Sequence, residues 1–334
     1  MTLEEAYNKG KDILVESGIE DASLDALWML LEVCGIDKAY YLAHGNDEVN
    51  ITCQDGRESR YFAMVSKRAE HIPLQHILGY TEFMGLKFEV NEDVLIPRQD
   101  TETLVEEALK HVHDGMRILD ICTGSGCILI SLINYSNDCT GVGSDISDAA
   151  LAVARRNADR LLADRAAASD RNTAAATDRG TCIGNAESGM DMRNSGSASD
   201  HGATAEHDAA DGIRYEFIRS DLFENIDGKF DIIVSNPPYI RTDVIDTLAP
   251  EVRDHDPMIA LDGGASGITF YERITEGLDE HLLPGGCILF EIGYDQGEEV
   301  SALLKDKGYL DVKVIKDYSG NDRVVMGVRS CLIN

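Results

Sequence analysis

The chain offers no set of side chains at the spacing that holds a metal ion. Its eight cysteines are scattered, with no C-x-x-C and no Cys/His pair at zinc spacing. The nine histidines form no cluster either, His111 and His113 falling in an expected helix-to-strand turn. No metal is expected, and the cysteines read as buried free thiols of a cytoplasmic protein. Also missing is any apolar run of about eighteen residues, so nothing is expected to span a membrane. The first residues, MTLEEAYNKGKDILVE, are acidic and amphipathic and lack the apolar core of a signal peptide. Positive charge is in deficit: 30 Lys and Arg against 60 Asp and Glu give a net charge of −30. Such a surface repels phosphate, which disfavours a bulk nucleic-acid binder and suits a mildly basic protein partner; solubility alone explains the charge as well.

What is present is the composition of an ordinary globular protein, and 334 residues suffice for two domains with separate cores. Residues 1–75 read as a small helical domain. Leu3, Ala6, Tyr7, Ile13 and Leu14 recur at roughly helical spacing. Asp21 stands as N-cap and Gly35 as C-terminal cap of a helix over 22–34, and 52–70 read as another. Trp28, Met29, Leu30 and Leu31 read most economically as the core of that bundle, an exposed partner-binding face being the other reading. Residues 76–98 form a linker, in which Phe83, Leu86, Phe88 and Val90 alternate about Gly85 as in a β-hairpin. A helix then starts with Asp100 or Thr101 as its cap.

Beyond residue 116 strands and helices alternate, the pattern of a parallel, doubly wound sheet. Strands are expected at 116–121, 140–145, 213–219, 230–235 and 286–293. Helices are expected at 126–134, at 147–160 with Ser147 as cap, at 268–282 and at 296–307. Two last strands, 309–316 and 322–329, turn at Ser319-Gly320-Asn321 and so pair antiparallel. This α/β domain occupies 99–334. Residues 161–212 interrupt it: they are rich in Ala, Ser, Asp and Gly and almost free of large apolar side chains. Such a segment cannot offset its own ordering entropy and reads as a disordered insertion at the amino edge of the sheet.

The stretch that carries chemistry is FDIIVSNPPYI, residues 230–240. An apolar strand stops at Asn236-Pro237-Pro238-Tyr239, because two prolines cannot continue a ladder. They hold the Asn extended at the carboxyl end of the strand, where open parallel sheets bind ligands. On these four residues alone, a plain Pro-Pro loop with a capping Asn is an equal reading. The neighbouring strands tip the balance. The first ends in Asp120, Ile121, Cys122, Thr123, Gly124, Ser125 and Gly126, a glycine-rich turn whose N–H groups face a ligand. The second ends at Asp145, placed to hold the hydroxyls of a ribose. The third ends at Asp221 and Leu222, a carboxylate for an adenine amine beside an apolar wall for the ring. Each strand thus delivers one part of a nucleoside site, and the fourth delivers Asn236 to Tyr239.

These residues resemble the class I S-adenosylmethionine-dependent methyltransferases and, more closely, the bacterial release factor glutamine methyltransferases (the PrmC/HemK family). The likeness runs over nearly the whole chain except 161–212, through IPRQDTE, DICTGSGCI, SDIS, SDLF, FDIIVSNPPYI, PEVRDHDPMIALDGG and FEIG. It implies a Rossmann-like seven-stranded sheet with its last strand antiparallel, joined to a small all-helical N-terminal domain that recognises the substrate. S-adenosylmethionine would lie against Asp120, Cys122 to Gly126, Asp145, Asp221, Leu222 and Asn236, leaving S-adenosylhomocysteine as product. The implied catalytic residues are Asn236, Pro237, Pro238 and Tyr239. The implied partners are peptide-chain release factors, methylated on the glutamine amide nitrogen of their Gly-Gly-Gln motif, with no direct nucleic acid and no membrane. Two positions depart from the family pattern: Gln99 replaces a proline and Cys122 the first glycine of the loop. A backbone-only role at Cys122 leaves binding intact, whereas a need for positive φ there would cost affinity. Two other readings are a DNA or RNA exocyclic-amine methyltransferase, disfavoured by the charge, and a catalytically silent adaptor, disfavoured by the intact Asn236 to Tyr239.

Overall fold

In the computed structural model the described residues are 1–46, 56–177 and 215–331, side chains of 164–177 excepted. Five helices come first: α1 Leu3–Glu16, α2 Ala22–Cys34, α3 Lys38–His44, α4 Arg57–Ala69 and α5 Leu74–Leu78. Thr2 starts α1 through a capping box, its hydroxyl accepting from Glu5 N while Glu5 accepts from Thr2 N. Gly35 ends α2 in the left-handed conformation, as expected; Asp21 occupies the cap position but makes no side-chain bond there. Leu3, Ala6, Leu14, Met29, Leu30, Tyr61 and Val65 close a core of their own. Trp28 does not join it. It lies with Leu24, one turn earlier, on the outer face of α2, both about half exposed, because the helix has already spent its inward positions on Ala22, Ala26, Met29, Leu30 and Val33. Helix α4 begins at Arg57; the first positions of the expected 52–70 helix lie outside the described residues.

A hairpin follows, β1 Tyr80–Phe83 and β2 Leu86–Glu89. Both turn residues, Met84 and Gly85, have positive φ, the geometry of a two-residue hairpin loop. Methionine is an awkward choice there, and the rest of the fold holds it. Glu102 accepts from Met84 N at 2.6 Å, and Tyr135 donates its hydroxyl to the Met84 carbonyl. Phe83 and Phe88 enter the main core edge to face.

The sheet contains β3 Arg117–Ile121, β4 Thr140–Asp145, β5 Tyr215–Arg219, β6 Phe230–Ser235, β7 Leu282–Glu291, β8 Leu310–Lys316 and β9 Asp322–Val328, in the order β5-β4-β3-β6-β7-β9-β8. Strands β3 to β7 pair in parallel, and β9 runs antiparallel to both β7 and β8. This is the class I methyltransferase fold. One face carries α6 Gln99–Leu109, α7 Cys127–Tyr135 and α8 Asp148–Thr177; the other carries α11 Thr269–His281 and α12 Gly297–Asp306. Two short helices, α9 Pro250–Arg253 and α10 Met258–Leu261, lie between β6 and α11.

Three boundaries differ from expectation. Helix α6 starts at Gln99, so Asp100 and Thr101 sit in its first turn rather than capping it. Strand β7 begins at Leu282, with a register shift opposite Phe230 and Ile232 absorbing Pro284 and its glycines. Helix α8, capped as expected by Ser147, runs past Arg160 to Thr177. That extension is alanine-rich and free of Gly and Pro, a composition with strong helix propensity despite its poverty in core residues. The rest of the expected insertion, 178–212, lies outside the described residues.

Arginines tie the N-terminal helices to the edge of the sheet. Arg68 on α4 is buried; it pairs with Asp25 on α2 at 2.6 Å and with Glu251 on α9 at 2.5 Å. Arg98 pairs in the same way with the buried Asp256 at 2.6 Å. Removing one partner of a buried pair strands the other charge. Asp25→Ala should therefore cost about 3–5 kcal/mol, whereas Glu251→Ala, at a half-exposed carboxylate, should cost about 0–1 kcal/mol. Urea unfolding followed by the fluorescence of the single tryptophan, Trp28, reads both; equal losses would refute the distinction.

Candidate active site

The order of the strands reverses at β3, which has β4 on one side and β6 on the other, and ligands of open parallel sheets bind at such a switch point. A cavity of about 240 Å³ lies there, at the carboxyl ends of β3 to β6. Its floor is formed by Cys122 to Ser125 of the turn that runs on to Gly126. Positive φ alternates along this turn, at Cys122 (60°), Gly124 (53°) and Gly126 (79°). Cys122 therefore occupies a conformation that favours glycine. At Gly126 the need is double, since a Cβ would come within 2.8 Å of Ile130 and 3.2 Å of Ala154.

Asp120 supports this turn from below. It is fully buried and accepts from the Thr123 hydroxyl at 2.6 Å and from Leu129 N at 3.3 Å. Burial pushes its carboxyl up to about 7 against those two hydrogen bonds. It does not line the cavity, and neither does Gly126. Asp145 does: one oxygen accepts from Gly124 N and the other from Ser147 N, both at 2.9 Å. Each oxygen keeps a further lone pair for a ligand. Asp221 and Leu222 also line the cavity, Asp221 paired with Arg273 of α11 at 2.8 Å.

On the β6 side Asn236 and Pro238 face the cavity, while Pro237 is buried behind them. Tyr239 turns away and packs against the core beneath α11. Its carbonyl accepts from Gln296 Nε2 at 3.0 Å; the same amide group holds the Gly267 carbonyl, and Gln296 Oε1 accepts from Gly293 N. Gln296 thus clamps the turn that the two prolines shape.

Of the ten residues singled out for the cofactor, the structure brings all but Asp120 and Gly126 to one cavity wall. Other residues complete it without having been singled out. Arg98 precedes α6 and Thr101 lies in its first turn, Phe270 and Arg273 come from α11, and Pro257, Ile259 and Ala260 from the segment around α10. Only IPRQDTE points to the first two, with no role at the site beyond Thr101 as a candidate helix cap. Asn157 gave no signal at all. It is fully buried on α8 and joins the hairpin to the glycine turn: Glu89 N donates to its Oδ1, and its Nδ2 donates to the Glu89 and Ser125 carbonyls.

A nucleoside fits this donor set. Carboxylates stand at the carboxyl ends of the adjacent strands β4 and β5, backbone N–H groups line the turn after β3 next to them, and Ile146, Leu222 and Phe270 supply apolar walls. Among the described residues no group of His, Cys, Asp and Glu is placed to hold a metal ion.

Comparison with known proteins agrees with this geometry. The release factor glutamine methyltransferase of Agrobacterium fabrum is 36% identical over 93% of this chain and 92% of its own length. That of Caulobacter vibrioides is 36% identical over 99% and 98%. The chain belongs to the release factor glutamine methyltransferase family. Residues 5–79 match the PrmC N-terminal domain, and 142–281 match the Eco57I restriction-modification methylase family. A solved structure, the release factor-specific protein-(glutamine-N5) methyltransferase of Alicyclobacillus acidocaldarius, is 26% identical over 73% of this chain and 99% of that one, at a TM-score of 0.36.

Membership of a methyltransferase family implies use of S-adenosylmethionine, which makes the strain at Cys122 measurable. Cys122→Gly should keep the affinity for S-adenosylhomocysteine within about twofold. Cys122→Val puts a β-branched side chain into the left-handed region and should weaken it at least about tenfold. Titration calorimetry reads both, and equal affinities would show that the turn adapts without strain.

Proposed function

We propose that this chain transfers a methyl group from S-adenosylmethionine to the side-chain amide nitrogen of the Gly-Gly-Gln glutamine in peptide-chain release factors. The observation that carries the reading is the position of Asn236. Its amide lines the same cavity as the glycine turn, Asp145 and Asp221, one strand away from the turn. When bound, S-adenosylmethionine supplies a methyl group already activated by its sulfonium charge. Asp145 would hold the ribose hydroxyls, Asp221 the adenine amine, and Leu222 the face of the ring.

The chain's remaining task is to prepare a poor nucleophile. The lone pair of an amide nitrogen is delocalised into its carbonyl. Asn236 Oδ1 and the Pro237 carbonyl would accept its two N–H bonds, orient it in line with the methyl group, and favour the positive charge that develops on it. The nitrogen then loses a proton to water, which leaves a neutral methylamide. Pro238 sets the wall. Tyr239 acts on the turn from behind, through the carbonyl held by Gln296. The N-terminal helices would grip the body of the release factor while one extended glutamine enters the cavity.

A second reading has one observation in its favour, the match of 142–281 to a restriction-modification methylase family. An exocyclic amine of a base poses the same problem to an Asn-Pro-Pro-Tyr turn. Against it stands the net charge of −30, since a flipped base needs a basic groove around it.

Labelled methyl transfer separates the two. Label is expected on a purified release factor, not on its Gly-Gly-Ala variant and not on adenine-containing DNA. Asn236→Ala should lower kcat/KM by about a hundred- to a thousandfold, the usual loss when one oriented hydrogen-bonding group is removed from a transition state. Label on DNA would move the chain to the nucleic-acid reading, and label retained on the Gly-Gly-Ala variant would overturn the assignment of the glutamine.

A further inference from the structure

Glu291, the last residue of β7, is buried to 1% exposure, and its Oε2 has no hydrogen-bond partner. The β6–β7 ladder pairs Ser235 with Phe290, so Asn236 and Glu291 leave the sheet side by side. Thr101, in the first turn of α6 and 2% exposed, stands between them. Its hydroxyl accepts from Asn236 Nδ2 at 3.5 Å, and it also reaches the Glu291 carboxyl, as the Asn236 amide does. From the position of Glu291, behind Thr101 and outside the cavity lining, we infer that it is a positioning residue for methyl transfer. Through the Thr101 hydroxyl it fixes the Asn236 amide with the nitrogen inward and the oxygen toward the cavity. This inference rests on the proposed glutamine methylation and deepens it.

The argument is one of donor and acceptor polarity. An ionised carboxylate only accepts, so it draws the single Thr101 proton to itself. The lone pairs of Thr101 then face Asn236, and only the NH₂ end of that amide can fill them. Asn236 Oδ1 is left for the cavity, where it can accept from a substrate N–H. A protonated Glu291 can reverse the chain: it donates to Thr101, Thr101 turns its proton toward Asn236, and the amide flips. The cavity would then present an NH₂ to the NH₂ of a glutamine, and two donors do not bind each other.

The groups around Glu291 make its ionisation a near-neutral event. Burial pushes the carboxyl up to about 7, aided by Asp100 on α6 and opposed by Thr101, by Arg323 on β9 and by Asn236. Arg323 is shared, since it also pairs with Asp100 and Asp317 at 3.1 and 3.2 Å. Tyr239, Tyr271 of α11 and Cys127 of α7 also feel the Glu291 charge; the Tyr271 hydroxyl donates to its backbone carbonyl at 2.8 Å. The ionised, competent form grows as pH rises through this range, so turnover should rise with it.

The test is a pH profile of kcat with release factor as substrate, from about pH 5.5 to 8.5, for wild type, Glu291→Gln, Thr101→Val and Thr101→Ser. The wild type should lose about tenfold per unit below its limb near neutrality. Glu291→Gln does not titrate and, like the protonated acid, can donate to Thr101, so it should hold kcat near the low-pH level of the wild type at every pH and lose the limb. Thr101→Val should lower kcat about ten- to a hundredfold, and Thr101→Ser should restore it. Affinity for S-adenosylhomocysteine should be unchanged in Glu291→Gln, whose side chain lies outside the cavity lining. An unaltered limb in Glu291→Gln, or a loss of cofactor affinity equal to the loss of kcat, overturns the inference. A second readout needs no turnover: the side-chain amide resonance of selectively labelled Asn236 should titrate near neutrality in wild type and not in Glu291→Gln. A wild type that methylates no release factor but shows this titration defeats the functional reading and supports the coupling; a flat resonance in an active wild type defeats the coupling alone.

Discussion

Everything at this site depends on the register of two neighbouring strands. Ile121 stands opposite Ser235 in the β3–β6 ladder, and the Ser235 hydroxyl donates to the Ile121 carbonyl at 2.7 Å. Both strands therefore end at the same height, and the residues that follow them, Cys122 and Asn236, emerge side by side at the switch point. A slip of one residue would turn every side chain of β6 to the other face and carry Asn236 away from the glycine turn. The register is held because β6 is covered on both faces by apolar side chains, Ile232 and Val234 on one and Phe230 and Ile233 on the other.

A second constraint comes from outside the sheet. The segment from 250 to 262, which supplies Pro257, Ile259 and Ala260 to the cavity, has only two very short helices of its own. Such a segment contributes little local stability and depends on its partners. Arg68 holds it at Glu251 from the N-terminal helices, and Arg98 holds it at Asp256 from the start of α6. Gln296 fixes the far side through Tyr239 and Gly267. The rim of the cavity is thus built by long polar side chains reaching in from three directions, over a floor set by backbone register.

That division explains what could be read in the sequence. The strands, their order of appearance and the residues at their carboxyl ends are legible, because each apolar run stops at a turn: Asn236 before two prolines, the glycine-rich turn after Ile121, and Ile146-Ser147 after Asp145. The antiparallel close of the sheet was legible from Ser319-Gly320-Asn321. Trp28 leaves the core because a run of four apolar residues cannot all face one side of a helix, and hydrophobicity alone does not say which one faces out. The extension of α8 has no core residues to mark it, and only alanine's helix propensity favours it. Arg98, Thr101, Asn157 and Gln296 were not legible as site residues, since they act across separations such as 135 positions from Thr101 to Asn236, for which periodicity carries no signal.

The chemistry of the cavity follows from what lies near Asn236 and what is kept away. No histidine lines the cavity among the described residues, and its carboxylates, Asp93, Asp145 and Asp221, come from the segment before α6 and from the ends of β4 and β5 rather than from the Asn236 turn. A general base would gain little there. An amide N–H is far too weak an acid to be ionised near neutrality, and the proton becomes acidic only once the nitrogen carries the methyl group. Orientation has to do the work instead, and orientation needs acceptors whose direction is fixed. The prolines fix the direction of the Pro237 carbonyl through the backbone. A side-chain amide has no such restraint, since its two ends differ in polarity and hardly at all in shape. The buried carboxyl behind Thr101 supplies it by polarity, at a position from which it never meets the substrate.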